Sequence, residues 1–366
     1  MIARALRLRN VRSRTLLDLD FGPGLNILFG PNGAGKTTVL EATVIVLNGG
    51  LLRPGSVRDL IKRGQDHLRV EIDLEDEHGV VTAAAAYAGD GERRLTAGGA
   101  PLTDHARWEE SLPVRSFVPD DLRLIKGSPR RRRQYLDTLT ARQDPEYAGL
   151  LRQYEEALAQ RNTLLRMGAR SSDEGHFTPW EKILADAGLE VSRRRGTTLA
   201  GFVGSFQRMY HDLTGEPADS LRIVYRTNVA DLDRAAYAKR LAQMRSADRQ
   251  RTFTHLGPHR DDFRLTRASL DMRDCASQGE QRAALLTLVL AEWEYLRDKG
   301  QRPLLLLDDV MSELDETRRR ALVRAIRKGG QSIVTTTDLR YFKEDELEGS
   351  TVIDLGDTKE EHGKER

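Results

Sequence analysis

The sequence predicts an α/β protein with one lobe assembled from both ends of the chain and a mainly helical lobe inserted between them. Three observations lead there. A glycine-rich loop, Gly30–Thr37, follows an apolar stretch and precedes a helical one near the N-terminus. An apolar run, Leu304–Leu307, closed by Asp308 and Asp309, stands near the other end. Between them, from Pro129 to about Ala247, apolar residues recur at helical spacing.

The same patterning places each element. Ile2–Leu8 alternates apolar and polar residues, as a half-buried strand does. Asp18–Phe21 and Leu25–Phe29 predict two more strands, with a turn at Gly22-Pro23-Gly24. A helix follows from Lys36 to Leu47, ended by Asn48-Gly49-Gly50. His67–Leu74 and Val80–Tyr87 predict a hairpin, and Gly89–Ala100 a loop or a further hairpin. In the middle block Tyr147, Leu150, Leu151, Tyr154 and Leu158 share a helix face, as do Ile183, Leu184, Ala187 and Val191. Ser171–Pro179 interrupts these two helices, and Leu221–Tyr225 is a candidate short strand. No sustained heptad marks the block as a long coiled coil. From Gly257 strand and helix alternate again: helices over Gly279–Gly300 and Glu316–Ile326, buried strands over Leu304–Leu307 and Ser332–Thr335. The expected domains are residues 1–118 and 250–356 for the split lobe and 119–249 for the inserted one, with 357–366 a charged, disordered tail.

Composition narrows the function classes. Of 366 residues, 39% are hydrophobic and 31% charged, which fits a folded soluble chain and not a disordered one. No apolar run is long enough to cross a bilayer, and Met1–Asn10 lacks the apolar core of a secretory signal. The single cysteine, Cys275, allows neither an internal disulfide nor a cysteine-rich zinc site, so a cytoplasmic setting is expected. Net charge is +2, so any binding of nucleic acid requires positive charge gathered on one surface.

Gly30-Pro31-Asn32-Gly33-Ala34-Gly35-Lys36-Thr37 matches G-x-x-x-x-G-K-[ST] in the strand–loop–helix setting that gives the pattern its meaning. Glycines let the backbone curl so that its N–H groups point inward at phosphate oxygens, and the helix start adds a positive dipole end. Lys36 supplies a mobile charge for the β- and γ-phosphates. Thr37 supplies a hydroxyl for Mg²⁺, and Thr38 continues the binding turn. ATP and Mg²⁺ are therefore the expected ligands. A buried strand such as Leu304–Leu307 belongs inside a parallel sheet, and ligands of such sheets sit at the strands' C-terminal ends. Asp308 is placed to hold Mg²⁺ and Asp309 to orient or deprotonate the attacking water. Ser277-Gln278-Gly279-Glu280 opens a helix with a hydroxyl and a glycine N–H, a second anion-binding pattern, though Ser-x-Gly alone also makes an ordinary N-cap.

In this order the motifs resemble the ABC ATPases: phosphate loop, insertion, serine–glycine motif and acidic strand, then Ser312-Glu313-Leu314-Asp315 and a strand ending in Thr335-Thr336-Thr337-Asp338. Three segments are more specific. Pro119–Pro129 with Arg132–Asp137, Gly257–Asp262, and Asp308–Asp315 together resemble the RecF family of bacterial recombination mediators, and the likeness runs from Leu8 to Asp338. That resemblance implies a head similar to those of SMC and related DNA-repair ATPases, two of which close around two ATP molecules. It implies that Ser277 and Gly279, flanked by Gln278 and Glu280, meet the γ-phosphate held by the partner's loop, with Asp315 at the dimer seam. It further implies ATP-dependent binding of duplex and gapped DNA near the nucleoid, and cooperation with RecR and RecO in loading RecA. Two departures from the broader ABC pattern stand out. Asp309 replaces the usual glutamate, so a weak, DNA-stimulated ATPase is expected. No lid glutamine is evident, and Asp120 is the candidate substitute.

Candidate DNA contacts are Arg130–Arg133, Arg193–Arg195 and the N-terminal Arg12 and Arg14, with Arg130, Arg131, Arg193 and Arg194 the leading four. Arg132 and Arg133 belong to the family-like segment and read equally well as structural. No helix-turn-helix or zinc reader is present, so backbone and shape recognition is expected. Cys275 reads as a small buried thiol and Trp108, Trp180 and Trp293 as packing residues. His259 reads either as a γ-phosphate sensor or as the cap of a turn. The competing functions are another SMC-like repair ATPase, a transporter subunit, a scaffold that uses ATP only as dimer glue, and a metabolic P-loop kinase. The short irregular insertion disfavours the first, the Pro119–Asp137 segment the second, and the serine motif the last.

Overall fold

The computed structural model describes residues 1–102, 112–167 and 174–356. The expectations for Trp108, for the first part of the 171–179 interruption and for the tail 357–366 lie outside these residues. The chain forms two compact units. The first takes Met1–Asp121, Arg208–Pro217 and the chain from Gln278 on; the second takes Leu122–Gln207 and Ala218–Ser277.

The first unit holds two sheets. One is antiparallel and six-stranded, in the order β2 (Arg14–Asp20), β1 (Ile2–Val11), β4 (His67–Asp76), β5 (Gly79–Ala88), β6 (Arg93–Ala97) and β7 (Ala100–Pro101). Gly89–Ala100 is thus the further hairpin. The other sheet is five-stranded and parallel, in the order β14 (Thr351–Asp354), β3 (Leu25–Phe29), β13 (Ser332–Thr336), β12 (Leu304–Leu307) and β8 (Val114–Phe117). Its central strands β12 and β13 are buried at every position, which is why they read as unbroken apolar or small-residue runs. Helix α1 (Lys36–Asn48) touches strands of both sheets and is buried almost all round, so its sequence carries little amphipathic contrast. Leu6, Leu28, Val39, Ile45, Ile72 and Leu306 share one core with it.

Buried amides tie the two ends of the chain together. Gln331 Nε2 donates to the carbonyls of Ala3 at 2.6 Å and Gly22 at 2.9 Å, and its Oε1 accepts from the Ala3 amide at 2.8 Å. Asn26 Nδ2 donates to Ser332 O at 3.1 Å. Each side chain replaces hydrogen bonds that a buried backbone would otherwise lack.

The second unit contains helices α2 (Pro129–Gln143), α3 (Tyr147–Arg166), most of α4 (Thr178–Thr214) and α5 (Arg234–Arg251). It also has a three-stranded antiparallel sheet in the order β11 (Leu270–Asp271), β10 (Asp262–Arg267), β9 (Leu221–Arg226). The expected boundary at residue 250 is displaced. β10 satisfies the backbone of β9 along its whole length, so residues 250–277 go with the inserted lobe. The last turns of α4, from Arg208, group with the first unit.

The interior of the second unit is ionic as well as apolar. Arg161 is fully buried and donates to Asp248 at 2.7 Å, to Glu181 at 3.2 Å, to Thr254 Oγ1 and to Leu241 O. Arg132 pairs with Asp262 at 2.6 and 3.0 Å, which gives it the structural role. Arg195 joins Asp137, Asp261 and the Pro258 carbonyl. Cys275 contradicts its expectation: it ends a short helical turn, Met272–Cys275, and is exposed. Trp293 is buried and donates to Pro303 O at 2.8 Å, and Trp180 packs on the core of the second unit, as expected.

His259 lies in that unit too. Its Nε2 donates to Thr254 O at 2.8 Å and its Nδ1 accepts from the Tyr154 hydroxyl at 2.6 Å, so the neutral ring satisfies both nitrogens. Of its two readings, these contacts fill the turn-holding one. Burial pushes its pKa down to about 4, helped by Arg260 and Arg133 and opposed by the Thr254 bond and Asp248. An unfolded histidine takes up its proton near pH 6.5, before the folded one does. The contribution is therefore present above pH 6.5 and lost as pH falls toward 4, by about 3 kcal/mol in all. Urea unfolding at stepped pH should show this slope, and His259→Gln should flatten it. Gly257, beside it, has φ +136°, and a Cβ there would collide with the hydroxyls of Tyr237 and Tyr154. Gly257→Ala should cost about 3 kcal/mol in the same assay.

Candidate nucleotide site

The parallel sheet sets the site. β13 lies between β3 and β12, so the loop after β3 and the acidic residues after β12 emerge at the same edge with one strand between them. They line a cleft of about 560 Å³ together with Arg12, Glu41, Arg53 and Pro119. Asn32, Gly33, Gly35, Lys36, Thr37, Thr38, Asp308 and Asp309 all face it.

Gly35 caps α1 in the left-handed region, φ +84°, where a side chain would be strained and would press on Arg14. Gly30 and Ala34 take part through their carbonyls. Gly30 O accepts from Lys36 Nζ at 2.6 Å, as does Pro31 O at 2.9 Å, and Ala34 O accepts from Arg14 at 2.5 Å. Burial pushes the Lys36 ammonium down, while Asp309 and Asp308 hold it up.

Asp308 is the hub. It is buried, and its Oδ1 and Oδ2 lie 3.0 and 3.1 Å from Thr37 Oγ1. Thr335 Oγ1 donates to Oδ1 at 2.9 Å and itself accepts from the Asp309 amide at 2.9 Å. Asp309 has φ +47°, which turns its side chain out of the strand direction into the cleft. Burial raises its pKa, Ser312 opposes that, and Asp308 adds to it. Asp309 Oδ1 is buried and without a hydrogen-bond partner.

An alcohol and a carboxylate in contact form a hard-oxygen pair that fits Mg²⁺. No cluster of three or more His, Cys, Asp or Glu suited to a metal occurs among the described residues.

The remaining candidates lie elsewhere. Gln278, Gly279 and Glu280 open α6 (Gln278–Asp298) in the first unit but are absent from the cleft wall. Ser277 is exposed and belongs to the second unit. Asp315 caps α7 (Glu316–Gly329), accepting from Arg318 N at 2.9 Å. Asp120 sits in the turn Pro119–Leu122, and its side chain lies outside the described residues.

Arg53 and Glu41 in the cleft wall, and Thr335 buried behind Asp308, were not anticipated as such. Glu41 left a signal, an acid inside an otherwise apolar helix that demands a buried cation. Arg12 answers it at 2.7 and 3.0 Å. Arg12 and Arg14 thus both have partners within this lobe, Arg14 on the carbonyls of Ala34 and Leu355. Arg130 is exposed and Arg131 half-buried on the first turn of α2. Arg193 and Arg194 are committed to carboxylates: both bond Glu190, and Arg194 also bonds Asp144 at 2.6 Å.

Comparison with known proteins agrees with this geometry. The family described as RecF/RecN/SMC N terminal domain matches residues 2–353. The DNA replication and repair protein RecF of Symbiobacterium thermophilum is 36% identical over 93% of this chain and 92% of its own length. This chain belongs to the RecF family. RecF of Moorella thermoacetica is 37% identical over 91% of this chain and 89% of its own. The solved structure of the recombination mediator protein RecF with ATP, in the RecFOR pathway, is 28% identical with a TM-score of 0.79, covering 94% of this chain and 92% of that one. An Smc head bound to the C-winged helix domain of ScpA shares the fold at 16% identity and TM-score 0.57. The RecF-family fold here is an ABC-type ATPase head with a long helical insertion, and no described helix is long and apolar enough to cross a membrane.

Thr335 supplies a direct check on this RecF-family site. Thr335→Val removes the hydroxyl that joins Asp308 to the Asp309 amide and leaves both groups short of a partner. Thermal denaturation should show a loss of about 1–3 kcal/mol, largely restored in Thr335→Ser.

Proposed function

We propose that this chain is an ATP-dependent DNA-binding protein of recombinational repair, whose copies pair on ATP and part after slow hydrolysis. One observation carries the reading: the phosphate loop, Asp308 and Asp309 share one cleft, while the Ser277–Glu280 segment is not part of its wall. A γ-phosphate in that cleft lies open to a second copy's serine motif.

The chain's own groups divide the work. The loop amides and the start of α1 hold the phosphates, and Lys36 leaves its carbonyl partners to neutralise the β–γ oxygens. Thr37 and Asp308 would hold Mg²⁺, which supplies charge neutralisation at the transferring phosphoryl group. Asp309 orients the attacking water and accepts its proton. Its raised basicity suits that task, and its short side chain reaches less far than a glutamate, which supports slow turnover; DNA is the proposed stimulant. Ser277 and Gly279, with Gln278 and Glu280, complete the partner's site; Asp315 lies at the seam and Asp120 at the lid.

On DNA, the homodimer would grip duplex next to gaps and act with RecR and RecO in loading RecA, in the cytoplasm at the nucleoid. The family membership and the RecFOR setting of the solved ATP-bound relative support this part. Arg130 and Arg131 remain the better DNA candidates, because the carboxylates on Arg193 and Arg194 already offset their charge. A phosphate contact releases counterions, so its loss lowers the salt slope. Arg130→Glu with Arg131→Glu should weaken DNA binding about tenfold or more and flatten log affinity against log salt by up to about 2. Unchanged affinity and slope exclude the patch.

Sedimentation tests the clamp itself. With Mg²⁺ and ATP the wild-type mass should double, and Ser277→Arg, which sets a bulky cation where the partner's γ-phosphate docks, should stay monomeric while still binding nucleotide. A wild-type mass that ignores bound ATP removes the trans site.

A further inference from the structure

The carboxylate assigned to the divalent ion already carries a cation. Arg53 Nη2 lies 2.5 Å from Asp308 Oδ2. Arg53 is two-fifths exposed and Asp308 only 4%. The other positions around Asp308 are filled by Thr335 on Oδ1 and by the Thr37 hydroxyl near both oxygens. A metal coordinated by Asp308 and Thr37 must approach along the Oδ2 edge, where the guanidinium sits. Two cations cannot share that edge of a half-enclosed carboxylate without strong repulsion.

Arg53 has somewhere else to go. It sits in the irregular stretch between α1 and the short helical turn Val57–Leu60, so its withdrawal disturbs no strand or helix. It also lines a second hollow of about 470 Å³, walled with carboxylates by Asp59 and by Glu41, which the two hollows share. Arg12 already engages Glu41 there. Asp59 caps its own turn through the Ser56 amide and keeps further acceptor capacity. One flexible guanidinium thus stands between two anionic walls.

We propose that Arg53 is an exchangeable cation of the nucleotide cleft: it and the divalent ion are alternative partners of Asp308, and metal entry releases Arg53 toward the hollow walled by Glu41 and Asp59. The inference rests on the reading that Thr37 and Asp308 hold Mg²⁺. It adds that Asp308 never stands as a bare buried anion, and that the protein by itself binds the metal weakly because Arg53 must be displaced. Metal binding is then tight only when nucleotide phosphates contribute further ligands.

The test is a titration of the full-length protein with Mn²⁺, reading free ion by electron paramagnetic resonance, without nucleotide and with ATPγS. Arg53→Ala and the better shape-matched Arg53→Gln should each bind Mn²⁺ about tenfold or more tightly than wild type without nucleotide, since a charge-assisted bond no longer has to be broken. Mn²⁺ should also raise their melting temperature more than it raises that of wild type. Equal or weaker Mn²⁺ binding in the Gln variant, with its fold intact by circular dichroism, overturns the exchange. Asp308→Ala separates the two levels: if it binds Mn²⁺ as wild type does with ATPγS, the metal assignment itself falls, and the exchange with it.

Discussion

Everything in the first unit depends on β13 pairing with β3 on one side and β12 on the other. Those ladders bring together groups 271 positions apart, the Thr37 hydroxyl and the Asp308 carboxylate. Thr335 then bridges the gap that the middle strand creates. A one-residue slip in either ladder would turn Thr335 to the opposite face of the sheet and leave Asp308 and the Asp309 amide unpaired. Gln331 and Asn26 act on the same constraint from the other end of the strand, because they tie β13 to the chain's first residues through buried amides.

The second unit solves a different problem. It is built largely from arginine-rich helices, and four of those arginines, Arg132, Arg161, Arg195 and Arg245, are buried. Arg132, Arg161 and Arg195 are each at most 5% exposed and each meets carboxylates. Such networks add little net stability over apolar packing, yet losing one partner strands a buried charge at a cost of about 3–5 kcal/mol. They specify which helix faces meet rather than how firmly. The tyrosines around Gly257 do the same through hydroxyls, and only a residue without a side chain fits between them.

Charge deployment also bears on DNA. A count of 58 lysines and arginines against 56 acids leaves no overall attraction for phosphate. Many arginines of the first unit are likewise paired across strands, as Arg7 is with Asp73 and Glu71. The proposed association with nucleic acid therefore needs cations gathered on one surface, and Arg130, exposed at the start of α2, is the candidate. Pairing two copies doubles that contribution, which links the proposed ATP-driven dimerisation to the proposed DNA affinity.

The phosphate loop, the buried strand closed by Asp308 and Asp309, and the helical character of the insertion were legible because each is a local pattern. Glycines at fixed spacing, an apolar run of strand length and a helical period need no distant partner to be recognised. Strands β8, β10 and β14 were not legible, since each is short and takes its identity from the strand it pairs with. The boundary near residue 277 was hidden for the same reason: β9 claims β10 only once both are folded. Arg132 and Arg195 read as members of surface charge runs yet are buried, because sequence shows a cation but not the carboxylate or carbonyl that meets it. The sequence by itself determined which chemistry the cleft contains. Only the tertiary structure decided which charges are spent inside the protein and that Arg53 stands on Asp308, because those depend on pairings between residues far apart in the chain.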